Sequence, residues 1–210
     1  MNRRKDKKYF KHSEEIAEII NNEIKAIATI PLDGTIMEAI DYLYDNVHVF
    51  GGKVIITGLG KAGQIGDNIA TTLSSTGTPA IFMHSAEAQH GDLGLIQKND
   101  ILILISNSGK TREVIEFARL AKRLDSDLPI IVITSNEESE LAKWADVLIL
   151  TGNPKEVCPL GLAPTTSTTV MTVIGDIIIV QLMRKIKFTK EQYALRHHGG
   201  YNGTKSREES

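Results

Sequence analysis

Residues 53–63, KVIITGLGKAG, and residues 101–111, ILILISNSGKT, decide the fold of this chain. Each stretch starts with an aliphatic run that is typical of a buried strand, continues with glycines and small polar residues, and leads into a helix-like segment. The N–H groups at the start of a helix have no partner inside it, and the helix dipole adds partial positive charge there. Both loops are therefore predicted to hold an anion.

The rest of the chain repeats this alternation of strand-sized and helix-sized segments. The predicted strands are residues 53–57, 80–83, 101–105, 130–134 and 147–150. Continuous apolar strands with helices between them indicate a parallel sheet covered on both faces, with ligands at the carboxyl ends of the strands. We expect an α/β fold of the flavodoxin or Rossmann-like kind, in which helices sandwich a five-stranded parallel sheet.

Helices are predicted on both sides of the sheet region. Residues 13–28 form an N-terminal helical extension whose isoleucines recur at three- and four-residue spacings. These are Ile16, Ile19, Ile20, Ile24 and Ile27. Thr35 and Glu38 resemble a capping box at the start of a second helix, and residues 165–187 predict one long helix over the sheet. We expect a basic solvated tail over residues 1–12, one domain over 13–200, and a polar tail over 201–210.

Composition limits the classes of function. With 210 residues, 41% hydrophobic, the chain can bury the core of one domain. A net charge of -2 and an aromatic content of 5% argue against a nucleic-acid partner. The apolar stretch 170–183 is shorter than the roughly 20 residues needed to span a bilayer, so a buried helix is predicted and no membrane partner.

Cys158 is the single cysteine, which favours a reducing compartment, the cytoplasm, and it is predicted to be a buried, unreactive thiol.

The side chains of the two loops suit a phosphomonoester. Lys61 supplies an ammonium, and Ser106, Ser108 and Thr111 supply hydroxyls. A sugar phosphate is the predicted ligand. The predicted binding residues of the loops are Gly60, Lys61, Ala62, Ser106, Asn107, Ser108, Gly109 and Thr111.

Other interpretations of the same loops stay open. Gly58, Gly60 and Gly63 satisfy the G-x-G-x-x-G pattern of dinucleotide sites, but residues 79–84 lack the carboxylate that would hold the ribose. These glycines could also serve only close packing of helix on strand. The second loop could be an ordinary serine cap of a helix. A nucleotide-kinase P-loop is improbable, because Leu104 stands where that pattern needs glycine.

Six ordered motifs carry a family resemblance. They are GLGKAG at 58–63, STGTP at 75–79, HSAEAQHGDLG at 84–94, ISNSG at 105–109, KEVCPLGLAPTTSTT at 155–169 and HHGG at 197–200. Together they resemble the D-arabinose 5-phosphate isomerases, which have the sugar isomerase (SIS) fold. The likeness extends over residues 13–200. Enzymes of this family commonly carry a pair of CBS modules after the sugar domain, and we expect this chain to be a version without them.

The resemblance implies an enzyme that interconverts D-ribulose 5-phosphate and D-arabinose 5-phosphate. That step supplies Kdo, the eight-carbon acid of bacterial lipopolysaccharide and capsule polysaccharide. It also implies a homotetramer with active sites shared between subunits, and no cofactor. A non-catalytic SIS sensor of a phosphosugar or Kdo nucleotide, and a hexulose-phosphate isomerase, are the alternatives.

Aldose–ketose isomerisation needs a base, an acid and an anchor for the phosphate. By position in the motifs, the resemblance assigns proton transfer to Glu156 and Glu113, ring opening or proton shuttling to His197, and phosphate binding or enediolate stabilisation to Lys61. His90 is expected to face the same cleft. Which glutamate acts first stays open.

Each assignment has a simpler alternative. Glu113 could complement a helix dipole, Glu156 could be a surface charge, and both histidines could be structural. The adjacent pair His197 and His198 lacks the spacing of a metal site, so no metal is predicted.

The chain departs from the family pattern at two places. Lys110 stands where the family often has glutamate, and RHH at 196–198 replaces a more usual Ser-His-Pro. The charge near the phosphate is therefore more positive, and tighter anion binding is expected.

Overall fold

Five parallel strands in the order β2-β1-β3-β4-β5 form the centre of the molecule. The strands are β1 (Val54–Gly58), β2 (Ala80–Phe82), β3 (Ile101–Ile105), β4 (Ile130–Thr134) and β5 (Val147–Leu150). The computed structural model describes residues 3–199 and residue 205, with side chains from residue 12. The expected α/β fold with a five-stranded parallel sheet is confirmed, and the predicted strands differ from the observed ones only by a residue at the ends of β1 and β2.

Aliphatic residues form the strands because the sheet is covered on both faces. Alternate residues of β3 enter two different cores: Ile101, Ile103 and Ile105 pack on one side, and Leu102 and Leu104 on the other. The three central strands are buried along their whole length, whereas β2, at one edge of the sheet, is only partly buried. The continuous apolar runs therefore mark the centre of the sheet.

The helices form the two outer layers. They are α1 (Arg3–Ile27), α2 (Thr35–Tyr44), α3 (Lys61–Ser75), α4 (Arg112–Leu124), α5 (Thr166–Lys185) and α6 (Lys190–Arg196). Helices α1, α2, α3 and α5 contribute to one core. Helix α4 covers the opposite face, where Val114 and Phe117 pack with Leu102 and Leu104.

Helix α5 is the buried helix that the sequence predicts. Gly175 lets it approach α3 closely, since a Cβ at that position would lie 2.6 Å from the side chain of Ile69. The helix is longer than the apolar stretch 170–183: its 20 residues and mean hydropathy of 1.5 meet the requirement for a membrane span by length and composition alone. Among the described residues only this helix does so, and 50% of its apolar window is buried inside the fold.

The isoleucine stripe of α1 is largely exposed in the single subunit. Ile16, Ile19, Ile20 and Ile24 keep 58%, 47%, 53% and 57% of their surface. At the end of the helix, Ala26 is buried. Helix α1 also begins at Arg3 instead of Ser13, so the backbone is already helical over most of the predicted 1–12 tail. The predicted polar tail, 201–210, lies outside the described residues except for Lys205.

The predicted capping box at Thr35 and Glu38 is wrong. Helix α2 does begin at Thr35, but its N-cap residue is Gly34, and the Thr35 hydroxyl donates to the Asp33 carboxylate at 2.6 Å. The carboxylate also accepts the Thr35 N–H at 3.0 Å, and the bonds from the hydroxyl and from the N–H together lower the pKa of Asp33. A capping box needs the Thr35 hydroxyl to bond to the backbone at Glu38, but this hydroxyl bonds to Asp33 instead.

Candidate functional site

A cavity of about 690 Å³ lies at the carboxyl edge of the sheet. It is enclosed by the loops after β1 and β3, the N-terminus of α5 and the segment between β5 and α5. Its lining consists of Leu59, Lys61, Ala62, Ser106, Asn107, Ser108, Thr111, Pro154, Lys155, Glu156, Gly161, Leu162, Pro164, Ser167, Thr168 and Met171. Six of the eight predicted loop residues line this cavity, and the other two are glycines that shape the loops.

The glycines of the first loop have two different tasks. A Cβ on Gly63 would lie 2.9 Å from the carbonyl oxygen of Gly58, so Gly63 allows the close packing of α3 on β1. Gly60, with φ +61°, precedes α3, and a Cβ there would meet no described heavy atom within 4 Å. Lys61 follows at the first position of α3, exposed, with its Nζ donating to Gln64 Oε1 at 3.3 Å. The open side of this loop is therefore available to an anion.

The second loop is held firmly against the end of β4. The carbonyl oxygen of Asn107 accepts the Ser135 N–H at 2.9 Å, the Ser135 hydroxyl at 2.7 Å and the Thr134 hydroxyl at 3.0 Å. The Ser106 and Thr111 hydroxyls are 2.9 Å apart. Because these contacts fix the backbone, the loop presents its hydroxyls in one arrangement before any ligand arrives.

One polar atom of this loop is unused within the described part of the chain. Asn107 Oδ1 is buried without a hydrogen-bond partner there. Thr111, the N-cap residue of α4, makes no side-chain cap, so the alternative of a simple serine cap is wrong. An oriented loop with an unused buried polar atom beside a cavity is typical of a ligand site.

Glu156 lies across the cavity, against the N-terminus of α5. Its Oε2 accepts the Thr165 N–H at 2.7 Å, the Thr165 hydroxyl at 2.9 Å and the Ser167 N–H at 3.3 Å. Partial burial pushes the pKa of Glu156 up, but the hydrogen bonds from Ser167 and Thr165 outweigh it, so the pKa is lowered. Glu156 is therefore a fixed carboxylate facing the cavity, and the surface-charge alternative is wrong.

Three predicted site residues do not line this cavity in the single subunit. Glu113 lies in the first turn of α4, and His90 is exposed at the end of the 3-10 helix Glu87–His90 that follows β2. The His197 ring stacks on Tyr193 with the ring centroids 3.7 Å apart, and its Nδ1 lies 3.0 Å from the Tyr193 carbonyl oxygen. The loops and Glu156 are thus brought together, whereas both histidines lie elsewhere on the subunit.

The structure adds lining residues that the sequence did not single out. Ser167 and Thr168 present a third helix N-terminus to the cavity, and Lys155 adds a second cation to it. The hydroxyl-rich run 165–169 could have indicated a ligand-binding role for these residues, but its hydroxyls were equally compatible with capping the helix.

The prediction that Cys158 is buried is wrong, whereas its low reactivity stays a prediction. The thiol is partly exposed, and the backbone N–H groups of Ala163, Leu162 and Leu160 point at its sulfur, with Ala163 N at 3.4 Å from Sγ. These N–H groups favour the thiolate and lower the pKa of Cys158. The turn after Pro159 returns the chain over the sulfur, which the sequence alone did not indicate.

Within residues 12–199 and 205, whose side chains the structure describes, no group of three or more His, Cys, Asp or Glu side chains is placed to hold a metal ion. The metal-free site stays a prediction.

Comparison with known proteins settles the family. Residues 51–181 match the SIS domain. The chain belongs to the SIS domain family. Its relatives include the arabinose 5-phosphate isomerase KdsD of Yersinia pestis, 49% identical over 154 residues, which are 73% of this chain and 46% of the relative. The chain thus spans about half the length of the curated relatives that it matches.

Two solved structures of SIS proteins superpose over nearly the whole chain. A candidate phosphosugar isomerase involved in capsule formation from Bacteroides fragilis is 53% identical with a TM-score of 0.89, and the match covers 90% of this chain and 99% of that one. A protein of Escherichia coli CFT073 in complex with arabinose 5-phosphate is 36% identical with a TM-score of 0.80, and the match covers 94% and 100%. The resemblance stated from the motifs is confirmed.

Proposed function

We propose that this SIS protein is an aldose–ketose isomerase that interconverts D-arabinose 5-phosphate and D-ribulose 5-phosphate through an enediol. The observation that carries the proposal is the single cavity in which two anion-binding loops face the Glu156 carboxylate. The KdsD relatives and the relative solved with arabinose 5-phosphate support the choice of substrate.

The phosphate end of the substrate is assigned to the loops after β1 and β3. The N-termini of α3 and α4 both point into this region, and Lys61 adds a full positive charge. Ser106, Ser108 and Thr111 offer hydroxyls, with Gly60, Ala62, Asn107 and Gly109 forming the backbone between them. Anchoring the phosphate here fixes the distance to the reacting carbons at the other end of a five-carbon chain.

The proton transfer is assigned to Glu156. Its carboxylate takes the proton from C2 of the open-chain aldose while the C1 carbonyl oxygen gains a proton, which gives the enediol. The C2 hydroxyl then loses its proton, and the proton held by the carboxylate, or one exchanged from solvent, is delivered to C1 to give the ketose. The lowered pKa keeps Glu156 ionised and ready to accept a proton. Lys61 and Lys155, both lining the cavity, are placed to stabilise negative charge that develops on the enediol oxygens. The reaction needs no redox cofactor.

We assign Glu113, His90 and His197 to the same reaction by motif position. His197 is the candidate for ring opening. Because the two histidines lie outside the cavity of their own subunit, a neighbouring subunit would have to supply them. The exposed stripe Ile16, Ile19, Ile20 and Ile24 on α1 supports such an assembly, since an apolar helix face of this kind is usually covered by a partner. We propose a homotetramer with shared active sites.

We place the reaction in the cytoplasm, in the supply of Kdo for lipopolysaccharide or capsule. The Bacteroides fragilis relative, which is involved in capsule formation, supports this assignment.

The test is NMR of arabinose 5-phosphate incubated with the protein in heavy water, with a chelator present. We expect ribulose 5-phosphate to form with deuterium at C1, and chelator to leave the rate unchanged. A Glu156→Gln variant should lose turnover while still binding inorganic phosphate, whereas Glu138→Gln, an exposed glutamate away from the cavity, should keep both. No conversion by the wild-type protein, with phosphate still bound, would favour a sensor.

A further inference from the structure

The segment that carries Glu156 is tied to helix α1 through a buried hydroxyl. The Val157 N–H donates to Thr166 Oγ1 at 3.1 Å, and the Thr166 hydroxyl in turn donates to Glu23 Oε1 at 2.9 Å. Thr166 is fully buried at the first position of α5. A carboxylate on the N-terminal helix therefore ends a hydrogen-bond chain that starts beside Glu156.

This chain interlocks with the bonds that hold Glu156 itself. Residues 165 and 167 bind the Glu156 carboxylate, and residue 166 between them binds the next backbone N–H, that of Val157. Two consecutive residues of one segment are thus bonded to three consecutive residues of the other. Rotation or displacement of Thr166 would disturb both sets of bonds at once.

We infer that Glu23 is a positioning residue, which holds the Glu156 segment in its working geometry by fixing the Thr166 hydroxyl. A threonine hydroxyl has one proton, and it can rotate. With the proton directed to Glu23, the oxygen lone pairs are directed to the Val157 N–H. This inference rests on the proposed function, because only that function gives Glu156 a geometry that matters.

The burial of Glu23 supports a role beyond packing. Its second oxygen, Oε2, is buried and has no hydrogen-bond partner in the described chain. A buried carboxylate oxygen without a partner lowers stability, since its hydration is lost and not replaced. An apolar residue at this position would avoid that loss. The carboxylate of Glu23 is therefore better explained by the hydrogen bond that its Oε1 accepts from the Thr166 hydroxyl.

The predicted effect is selective. Lys61 and residues 106–111 belong to other elements, and the bonds that fix them run to α3 and to the end of β4. Loss of the Glu23 contact should therefore impair proton transfer but leave the phosphate anchor intact. A displacement of about 1 Å of a reacting group is enough to lower a rate by about 100-fold.

The experiment compares Glu23→Leu, which removes the acceptor, with Glu23→Gln, which keeps one. We expect Glu23→Leu to lower kcat about 10- to 100-fold with the inhibition constant of inorganic phosphate unchanged, and Glu23→Gln to restore kcat to within about threefold of wild type. Glu18→Leu, at an exposed position of the same helix, is the matched control. Thr166→Val and Thr166→Ser form a second pair, in which only serine keeps the hydroxyl, for use if Glu23→Leu does not fold.

Hydrogen exchange of the Val157 amide gives a readout that does not need turnover. Exchange at Val157 should be about tenfold faster in Glu23→Leu and in Thr166→Val than in wild type. Unchanged kcat together with unchanged Val157 exchange in Glu23→Leu would overturn the inference. Wild-type protein that converts no arabinose 5-phosphate would overturn the proposed function instead, while the exchange data would still report whether Glu23 holds the segment.

Discussion

Replacement of Gly109 by alanine tests whether the loop after β3, the proposed phosphate anchor, can exist only in the observed conformation. Gly109 has φ +64° and is buried beneath the loop. An added Cβ would lie 2.0 Å from Ser139 Oγ and 2.4 Å from Ser139 Cβ. The Gly109 N–H donates to the Ser106 carbonyl oxygen at 3.1 Å, and the Gly109 carbonyl oxygen accepts the Leu141 N–H at 3.2 Å. The residue therefore cannot move away without moving the loop.

The cost follows from these two features. A left-handed conformation costs a residue with a side chain about 1–2 kcal/mol. Forcing a methyl group into a packed site costs about 1–3 kcal/mol more. We expect Gly109→Ala to lower the free energy of unfolding by about 2–5 kcal/mol, a large part of the roughly 5–15 kcal/mol that stabilises a typical domain.

Urea unfolding and phosphate titration measure the two consequences. The urea midpoint should fall, and the folded fraction should bind inorganic phosphate more weakly, because relief of the clash displaces the loop. Gly60→Ala is the control for backbone conformation: its φ of +61° and ψ of −129° also favour glycine, but its Cβ would meet no heavy atom within 4 Å in the described structure, so it carries a conformational cost without a steric contact. The double variant Gly109→Ala with Ser139→Gly should recover part of the loss.

Two results would refute this reasoning. One is a Gly109→Ala protein whose unfolding free energy stays within about 0.5 kcal/mol of wild type, the range of an ordinary surface substitution. The other is a double variant, Gly109→Ala with Ser139→Gly, that recovers none of the lost stability, since the contact with Ser139 would then contribute nothing.

Four other substitutions address charge, pH and assembly. Lys61→Met should raise the inhibition constant of phosphate about tenfold. That is the lower end of the range for losing a hydrogen bond to a charged group, and it applies because Lys61 is exposed. An unchanged inhibition constant would contradict the proposed role of Lys61 as a phosphate anchor. Lys110→Glu should weaken phosphate inhibition at low salt and less so at about 0.5 M salt, where charges are screened; equal affinity at low salt would disprove its role. Thr165→Val removes a hydrogen bond that lowers the pKa of Glu156, so the pKa of Glu156 should rise. The active carboxylate is lost as pH falls through that pKa, so the acid limb of the kcat/KM profile should move to higher pH. Acid limbs that coincide in the variant and the wild type would count against Glu156 as the base. Ile20→Asp should lower both the mass seen by light scattering and the specific activity, and an unchanged mass would argue against α1 as an interface.

The sheet could be predicted because its signal is local. Each central strand is a run of aliphatic residues, and burial on both faces imposes that composition whatever the neighbours are. The positions of the two loops could be predicted equally well, because Gly60 and Gly109 adopt positive φ angles that few other residue types tolerate.

Features that depend on distant parts of the chain were not readable. Thr35 could bond to Glu38 or to Asp33, and only the path of the chain around Gly34 favours Asp33. Cys158 looked apolar in sequence, yet the turn that follows it aims backbone N–H groups at the sulfur. Likewise, the isoleucine spacing of α1 shows a stripe but not whether the subunit's own core or a partner covers it.

The cavity uses one physical feature for two purposes. The helices α3, α4 and α5 all direct their N-termini to it, and each N-terminus favours negative charge. The ends of α3 and α4 lie beside the open loops, so their field is available to a phosphate. The end of α5 is already occupied by the Glu156 carboxylate, whose pKa it lowers through Thr165 and Ser167. In the proposed function fixed backbone dipoles hold both anions, so the sheet that carries these helices sets the distance between the proposed phosphate anchor and the proposed base. A ligand of five-carbon length can then be aligned without a change of fold.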